Sequence, residues 1–537
     1  MPDEDVPVLI VGGSLVGLSS ALLLAWHGVE SLVAERHPGT AIHPRAAHFN
    51  QRTIEIFRSV GLERTIMEAA ATEFVQDGAI MSVETLAGRE LEWFFRNVNE
   101  GVGELSPSRQ LFITQRGLEP ILRARAQELG ARLEYSCEVV SLEQDEEGVT
   151  ALLRGRDDGE ERTVRARYVV AADGSRSPVR ERLGIPLRGR GTFSNSLTIY
   201  FRADCKPLLR DRNLSVVYVF NPQVQGFLRF EIGGDAGFLA ASKALDAEGN
   251  PTSNLAGDMS EARCAELVRA ALGVPDLPVE IENVQPWNAS ADWAERFQEG
   301  RIFLAGDAAH QMPPNGGFGG NTGVADAHNL AWKLAFVLRG QAGPELLSTY
   351  DAERRLVGAF TAEQAYTRYV VRLAPELRTD DLQPYVEDPP IALGHRYRSA
   401  AVAVEGDEDD LPYVDPRRPS GRPGTRAPHL FVERDGATLS TLDLFGRSFV
   451  LVAGPGGSAW CEAAAQLGLD AHRIDSTAFA DAYGIGTDGA VLVRPDGFIA
   501  WRAVAAAKDG ERALADALSQ ILAVRLRRPT RPRLAPP

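Results

Sequence analysis

The sequence predicts an α/β fold in which a parallel sheet carries an inserted antiparallel sheet and is followed by a further α/β segment. Three observations support this fold class. A strand, a glycine-rich turn, a helix and a second strand open the chain, short alternating strands fill residues 196–242, and strands and helices mix again beyond residue 429. At 537 residues the chain exceeds what one hydrophobic core usually serves, so we expect two or three domains.

The opening segment reads as a strand–helix–strand unit. Apolar residues 8–11 precede a glycine-rich turn, a helix over residues 18–27 and a second strand over residues 31–35. Such a turn presents backbone N–H groups and the positive end of a helix dipole to a pyrophosphate. We therefore predict a Rossmann-like nucleotide site in which an acid at the tip of the second strand holds ribose hydroxyls; its residues are Gly12, Ser14, Leu15, Gly17 and Glu35. Ser14 departs from the glycine usual at the second position of this fingerprint.

The inserted segment has the texture of an antiparallel sheet. Short alternating strands are predicted over residues 197–202, 216–220, 226–232 and 238–241, with Asn221-Pro222 and Gly233-Gly234 as turns. Several aromatic side chains of these strands face either a core or a ligand: Tyr200, Tyr218, Phe220, Phe227 and Phe230.

The rest of the chain is predicted to be helical, then a linker, then α/β again. Helices are expected over residues 326–338 and 348–373, and a polar, proline-rich stretch follows. The predicted boundaries are a nucleotide-binding domain over 1–75, 105–190 and 285–403, an inserted domain over 76–104 and 191–284, a linker over 404–428 and a C-terminal domain over 429–537.

Two more carboxylates lie at predicted strand ends, where ligands bind in open α/β sheets. Asp173 follows the strand at residues 168–170, and Asp307 follows the strand at residues 302–305. Either one alone is equally well explained as a turn that ends a strand. The second continues into a stretch with four glycines in five positions, residues 316–320, where backbone can lie flat against a planar ring.

Composition limits the classes of function. The net charge of −16 repels phosphate backbones and anionic lipid, so we expect no nucleic-acid and no membrane partner. The four cysteines include no CxxC pair, which predicts neither a disulfide framework nor a metal site and fits a cytoplasmic location. The apolar start carries acidic residues where a signal peptide needs positive charge, and no other apolar stretch is long enough to span a bilayer. The sequence leaves monomer and homodimer open.

In order and spacing, these three motifs resemble those of the group A FAD-dependent aromatic monooxygenases, the para-hydroxybenzoate hydroxylase-like family. Within that family, the chain is most similar to the aromatic polyketide hydroxylases, which carry a C-terminal thioredoxin-like domain. The matching C-terminal segments are residues 440–446, 483–484 and 493–497. Because this domain lacks CxxC, a structural or interface role is expected for it rather than disulfide exchange.

The resemblance implies FAD as cofactor, NAD(P)H and O2 as cosubstrates, and hydroxylation of a polycyclic, polyketide-type phenol through a flavin C4a-hydroperoxide. It implies that Glu35 holds the adenosine ribose, that Arg45 and Gln115 contact the diphosphate and ribityl region, and that Asp307 binds the ribityl chain. Asp173 would lie near the pyrophosphate, and Pro314 beside the isoalloxazine. The full set of implied cofactor contacts is Gly12, Ser14, Leu15, Gly17, Glu35, Arg36, Arg45, Gln115, Asp173, Asp307, Gly317, Gly320 and Asn321.

Substrate contacts are expected from the inserted sheet and from the helix after residue 361. Arg372 is the preferred orienting group, because a guanidinium can hold a phenolate or quinone oxygen. Tyr218 and Pro314 are taken with it as the reacting site. Tyr218 and Arg229 offer polar tips on otherwise apolar strands, and Trp287, Tyr369 and Arg372 flank the expected cavity. His310 is read either as a proton relay or as a hydrogen-bonded structural histidine.

Three other functions remain open from the sequence. A Baeyer–Villiger oxygenase would direct the same peroxide, as an anion, at a ketone. A flavin-binding partner without turnover would not consume NAD(P)H, and an oxidase or dehydrogenase would add no oxygen to its product. No GxSxG, HExxH or P-loop motif suggests hydrolytic or phosphoryl-transfer chemistry.

Overall fold

The computed structural model describes residues 2–42, 46–246, 248–406, 411–434 and 436–524. The chain divides into two compact units. The first comprises residues 1–328 and 354–393, and the second comprises residues 329–353 and the chain from residue 394 onward. The predicted domain boundaries are finer than this division and stay a prediction.

The strands are numbered in chain order, β1–β17 in the first unit and β18–β23 in the second. They are β1 (Glu4–Val11), β2 (Ser31–Ala34), β3 (Ala79–Val83), β4 (Glu90–Phe95), β5 (Arg132–Glu134), β6 (Cys137–Gln144), β7 (Val149–Gly155), β8 (Glu161–Ala171), β9 (Leu187–Arg202), β10 (Leu214–Phe220), β11 (Val224–Phe230), β12 (Ala236–Leu245), β13 (Pro251–Thr252), β14 (Glu280–Ala294), β15 (Gln298–Glu299), β16 (Ile302–Leu304), β17 (His310–Gln311), β18 (Phe431–Arg434), β19 (Ala437–Ser440), β20 (Val450–Ala453), β21 (Asp470–Arg473), β22 (Ala490–Val493) and β23 (Ile499–Ala503).

The helices are numbered in the same way, and the division into units falls inside two of them, α8 and α9. They are α1 (Leu15–Trp26), α2 (Gln51–Ser59), α3 (Glu63–Glu73), α4 (Gln115–Glu128), α5 (Pro178–Arg182), α6 (Lys206–Leu209), α7 (Glu261–Leu272), α8 (Phe318–Leu338), α9 (Ser348–Arg372), α10 (Asp388–Leu393), α11 (Ser458–Gln466), α12 (Thr477–Ala482) and α13 (Gly510–Ile521). None of them, among the residues the structure describes, has the length and apolar character needed to cross a membrane.

The first sheet is the predicted parallel one. Its order is β15-β16-β8-β1-β2-β5, and β16, β8, β1, β2 and β5 run parallel to their neighbours. β7 and β6 extend it from β8 as an antiparallel pair. The last four residues of β1 are all buried, as expected for a parallel strand covered on both faces. This sheet brings the ends of β1, β2, β8 and β16 to one edge, where the predicted nucleotide residues lie.

The second sheet has nine strands in the order β17-β14-β9-β12-β11-β10-β3-β4, with β13 beside β12. It is antiparallel, as predicted, except that β3 and β10 pair in parallel. The chain returns to the first sheet between these two strands, so no hairpin fixes them as antiparallel neighbours. The strand predicted over residues 197–202 is only the end of β9, because Gly189 and Gly191 interrupt the alternation in its first half.

The two faces of the second sheet differ in what covers them. Alternate residues of β11 point to opposite faces. Leu228 and Phe230 belong to a hydrophobic core that also includes Leu267 and Val268 of α7. Phe227 points the other way and packs near Tyr218. We call this second surface the aromatic face; its rings on neighbouring strands are Tyr200, Tyr218, Phe227 and Phe238.

The second unit contains the predicted thioredoxin-like sheet, in the order β21-β20-β22-β23. β20 and β21 run parallel and the other pairs antiparallel. The end of the predicted linker is part of this fold, because the Ala427 N–H donates to the Gly497 carbonyl at 2.9 Å and the Ile499 N–H to the Thr425 carbonyl at 2.9 Å. The acidic run at residues 407–410 and the chain beyond residue 524 lie outside the described residues.

Candidate active site

The turn after β1 requires glycine at its first and third fingerprint positions. Gly12 has φ +100°, and a Cβ there would overlap the Ala172 carbonyl at the end of β8. A Cβ at Gly17 would overlap the carbonyl oxygen of Gly12. The backbone therefore approaches itself closely at the N-terminus of α1, where a pyrophosphate is expected.

The departure at Ser14 has a structural reason. Its hydroxyl donates to Oε1 of Glu119 at 2.6 Å, and the Leu15 N–H donates to the same oxygen at 2.9 Å. The other oxygen of this fully buried carboxylate accepts the Ala41 N–H at 2.7 Å. Glu119 was not singled out in the sequence, although it lies one helical turn after Gln115 on the same face of α4.

Gln115 forms hydrogen bonds with the backbone of the segment that leads to α2. Its side-chain oxygen accepts the Ala46 N–H at 2.8 Å, while its own N–H donates to the Ala46 carbonyl at 3.0 Å. The residues just before this segment, including Arg45, lie outside the described residues, so the contact expected of Arg45 stays a prediction.

Glu35 lies immediately after β2, as predicted. Its Oε2 accepts the Gly13 N–H at 2.6 Å, and its Oε1 accepts the His37 N–H at 2.8 Å. The carboxylate thus ties the end of β2 to the glycine-rich turn, while the neighbouring Arg36 is exposed. Neither arrangement tests the ribose contact, which stays a prediction.

Asp173 lies after β8 and caps the short helix α5. It accepts the Ser177 hydroxyl at 2.6 Å and the Val179 N–H at 3.0 Å. Burial raises the pKa of this carboxyl above its ordinary value, and these hydrogen bonds oppose the rise. The residue therefore shapes its own turn, and its expected role near the pyrophosphate stays a prediction.

The Gly306–Asp307 turn is held by a buried ionic cluster. Asp326 accepts the Gly306 N–H at 3.1 Å, lies 2.7 Å from Nε2 of His310 and accepts Nε of Arg354 at 2.8 Å. The side chains of Asp326, His310 and Arg354 are all fully buried. Burial alone would raise the pKa of Asp326, but His310 and Arg354 outweigh it and lower that pKa. These contacts match the structural reading of His310, and they leave Asp307 exposed beside the turn.

Asp326→Asn is expected to weaken FAD binding by about 10- to 100-fold, because an amide removes the charge that offsets Arg354 and loosens the turn carrying Asp307. The measurement is flavin-fluorescence titration of the apoprotein. Asp351→Asn, a change at a half-buried position near the start of α9, serves as the control and should bind FAD as the wild type does. Equal affinities for the wild type and Asp326→Asn would contradict this role.

The glycine-rich stretch enters α8 earlier than predicted, since the helix begins at Phe318 rather than at residue 326. Packing explains the difference. A Cβ at Gly323 would lie 2.5 Å from a Val16 methyl carbon, so the second turn of α8 needs glycine to meet α1 closely. Glycines read as loop residues are therefore helical here, because tertiary packing outweighs their low helix propensity.

Asn321 joins this stretch to the segment before α2. Its oxygen accepts the Asn50 N–H at 2.9 Å and the Thr53 hydroxyl at 2.7 Å, while its amide donates to the His48 and Gly317 carbonyls. The oxygen and the amide nitrogen of this side chain thus both have hydrogen-bond partners within the protein. The expected flavin contact therefore falls to the backbone of residues 320–321.

The structure offers a fit for a planar cofactor beside this stretch. Gly316 and Gly317 both have positive φ, Pro314 is exposed, and the side chain of Asn315 is 2% exposed with neither polar atom hydrogen-bonded. A buried amide without partners is costly, so its partner is expected to arrive with a ligand. Among the described residues, no cluster of acidic, histidine or cysteine side chains could hold a metal ion.

The structure brings two predicted substrate residues together on the aromatic face. Arg372, near the end of α9, donates to the Tyr218 hydroxyl at 3.2 Å and to the Tyr385 hydroxyl at 3.0 Å. Burial alone would lower the pKa of Arg372, but the two tyrosines outweigh it and raise that pKa. The indole N–H of Trp287 donates to the Thr198 hydroxyl at 3.1 Å. The ring centres of Tyr369 and Phe193 lie 4.8 Å apart.

Two polar residues next to this face were missed or left undeveloped. The Arg229 guanidinium lies 4.1 Å and 4.2 Å from the ring centres of Phe74 and Phe112. His48, which the sequence did not single out, lies 2.7 Å through Nε2 from the Gln110 amide oxygen, and its ring packs on Phe112 at 5.2 Å. The sequence named Arg229 as a candidate contact but could not give its partners, and nothing in the sequence pointed to His48, because the partners of both residues are far away in the chain.

Comparison with known protein families gives two matches. Residues 5–365 match the FAD binding domain family, and residues 420–524 match the aromatic-ring hydroxylase C-terminal family. The matched segments contain all the predicted cofactor residues and the predicted thioredoxin-like sheet.

Individual relatives match over nearly the whole chain. A 4-methyl-5-nitrocatechol 5-monooxygenase from Burkholderia sp. is 53% identical, over 97% of this chain and 98% of the relative. The tetracenomycin A2 monooxygenase-dioxygenase of Streptomyces glaucescens is 40% identical, over 97% of this chain and 98% of the relative. A crystal structure of aklavinone-11 hydroxylase with FAD and aklavinone superimposes with a TM-score of 0.90 at 38% identity, over 97% of this chain and 100% of that one.

Proposed function

The chain belongs to the FAD-dependent aromatic-ring hydroxylases, and from that premise we propose that it transfers one oxygen atom of O2 to a phenolic ring, with NAD(P)H as reductant. FAD is its cofactor. The observation that carries the proposal is the aromatic face, where the guanidinium of Arg372 donates to Tyr218 and the Tyr218 ring packs near Phe227, in the same unit as the nucleotide turn. Such a surface suits a flat, electron-rich substrate with a polar oxygen.

When bound, FAD supplies the redox chemistry: it accepts hydride from the nicotinamide and activates O2. The chain's own residues bind, orient and exclude water. We propose that the N-terminus of α1 holds the pyrophosphate, Glu35 the adenosine ribose and Asp307 the ribityl chain. Backbone at Gly317, Gly320 and Asn321 would meet the ring system, with Pro314 beside it.

Arg372 is proposed to orient the substrate. Its guanidinium carries five N–H donors, and the hydroxyls of Tyr218 and Tyr385 take two of them, so donors remain for a phenol oxygen. The two tyrosines fix the plane of the guanidinium, which makes its direction specific.

Arg372→Met is expected to raise the substrate KM by about 10-fold or more and to uncouple NAD(P)H oxidation from hydroxylation, because a misoriented ring does not capture the oxygen. Stopped assays that compare NAD(P)H consumed with product formed measure this effect. Arg378→Met, which changes an arginine six residues further along the chain, is the control and should stay coupled. Tight coupling in Arg372→Met would refute the orienting role.

We propose a polycyclic polyketide-type phenol as the substrate, supported by relatives such as the tetracenomycin enzyme. A single-ring nitrocatechol is a second candidate, and the observation that favours it is the 53% identity with the nitrocatechol monooxygenase. Both classes offer a hydroxylated aromatic ring to the same face.

The deciding experiment incubates the FAD-loaded protein with NAD(P)H and 18O2 against tetracyclic phenols and nitrocatechols. Label on a ring carbon of one class supports hydroxylation and selects the substrate. Label between a ring carbon and a ketone carbon would indicate Baeyer–Villiger oxidation instead. Product without label would indicate an oxidase or dehydrogenase, and no substrate-dependent NAD(P)H oxidation would indicate an inert partner.

A further inference from the structure

The charge of Arg229 is not balanced by a carboxylate. The side chain is 4% exposed, and its single hydrogen bond runs from Nη1 to the Ala47 carbonyl at 2.6 Å. Nε and Nη2 have no partner, and the guanidinium forms no ion pair among the described residues. The rings of Phe74 and Phe112 flank it. Burial lowers the pKa of Arg229, yet a guanidinium stays protonated at neutral pH.

The ionisable groups around Arg229 do not neutralise its positive charge. Glu73 attracts it, but that carboxylate accepts the Thr114 N–H at 2.8 Å and forms no ion pair with Arg229. Burial lowers the pKa of His48, so its ring is neutral at pH 7. Asp388, the acid that acts on His48, is paired with Arg368 at 2.5 Å. With Arg372 also protonated, this part of the aromatic face is electropositive although the whole chain carries −16.

Strand register sets the reach of this charge. Arg229 lies two residues after Phe227 on β11 and directly opposite Phe238 on β12, so it shares their face of the sheet. The Cα atoms of Phe227 and Arg229 lie about 7 Å apart, given a rise of roughly 3.3 Å per residue, and we take this spacing as the separation between the charge and a ring bound against Phe227. At that separation a buried charge acts without contact, because the surroundings are apolar and screen it weakly.

We propose that Arg229 is the electrostatic positioning residue of the aromatic face, and that through it the enzyme selects acidic phenols and holds them as phenolates. This inference rests on the proposed function, because it assumes a phenolic substrate on that face. Coulomb attraction over about 7 Å at an effective dielectric near 20 favours the ionised phenol by roughly 10- to 50-fold. An ionised phenol is also the more electron-rich form of the ring.

The test titrates 4-nitrocatechol on FAD-loaded protein without NAD(P)H, and follows the visible band of the phenolate against pH. The wild type should lower the apparent pKa of the bound phenol by about 1 to 1.7 units relative to free 4-nitrocatechol. Arg229→Met should abolish most of this shift and weaken phenolate binding by about 10- to 50-fold. Arg229→Lys keeps the charge and should retain most of the shift.

Arg202→Met is the matched control, since Arg202 lies on the same sheet with a half-exposed side chain paired to Glu282. It should behave as the wild type does. FAD content and melting temperature show whether each variant is folded; if Arg229→Met does not fold, Arg229→Gln replaces it. A merely structural role would change those two quantities but not the ionisation of the bound phenol.

The outcomes separate cleanly. If Arg229→Met binds the phenolate as the wild type does, or if it alters only the flavin spectrum, the inference is overturned. If Arg229→Lys loses as much as Arg229→Met, the effect is not one of charge and the inference fails as well. If the wild type binds 4-nitrocatechol without any shift but hydroxylates phenols, the inference alone fails. If it neither binds nor oxygenates phenols, the proposed function fails with it.

Discussion

A Gly17→Ala protein is expected to be purified without FAD. The added methyl group would overlap the Gly12 carbonyl oxygen, so the turn at the N-terminus of α1 must open. That turn is where backbone N–H groups converge on the pyrophosphate, and a displacement of about 1 Å is enough to misalign them. We expect the affinity for FAD to fall by about 100-fold or more. Flavin content per chain after gel filtration measures this loss.

Gly39→Ala is the appropriate control, because a Cβ at that position meets no atom within 4 Å. It should retain its flavin. Thermal unfolding of both apoproteins separates loss of the cofactor from loss of the fold. A yellow Gly17→Ala protein with a full complement of FAD would show that the pyrophosphate is held elsewhere.

Glu353→Gln is expected to destabilise the second unit by about 3–5 kcal/mol. Glu353 accepts Nζ of Lys333 at 2.8 Å and Nη1 of Arg494 at 2.6 Å, and all three side chains are fully buried. Asp496 accepts Arg494 from the other side. The amide would leave two buried cations facing one carboxylate. Burial alone would raise the pKa of Glu353, but Arg494 and Lys333 outweigh it and lower that pKa, so the cluster favours the charged carboxylate.

Urea unfolding followed by circular dichroism and tryptophan fluorescence measures the effect. Glu462→Gln, at an exposed position on α11, should change the free energy of unfolding by less than about 0.5 kcal/mol. The double variant Lys333→Met/Glu353→Met removes one charge of each sign and should recover part of the loss, because apolar groups often replace buried ion pairs at little cost. If Glu353→Gln unfolds at the wild-type midpoint, the cluster contributes nothing to stability.

The predictions succeeded where the signal is local. The strand–turn–helix opening carries its pattern within about twenty residues, so propensity and spacing define it. The early start of α8 was missed because close packing against Val16 makes glycines helical, and no pattern within α8 reports that contact. The first half of β9 was missed for a related reason: its glycines are accommodated by pairing with β14.

The position of the candidate site could be predicted from the sequence, but the hydrogen bonds and contacts within it could not. Glycines and carboxylates at strand ends located the nucleotide turn. In contrast, Glu119 reaches Ser14 across more than one hundred residues of sequence, and the Asn321 side chain reaches Asn50 across more than two hundred and fifty. Arg229 and His48 both contact the ring of Phe112, which is far from each of them in the sequence. Such long-range contacts follow from the tertiary structure and produce no periodic pattern in the sequence.

The parallel pair of β3 and β10 has a consequence for engineering new substrate ranges. A designer wishing to graft the substrate-facing sheet of one relative onto another would naturally exchange the continuous stretch from Leu187 to Ala294, whose two ends are neighbours in the β9–β14 ribbon. That graft would leave the recipient's own β3 and β4 in place. These two strands lie about a hundred residues earlier in the sequence, yet they form the edge of the same sheet. A working chimera therefore needs four splice points rather than two, because the hairpin of residues 79–95 must be exchanged together with residues 187–294.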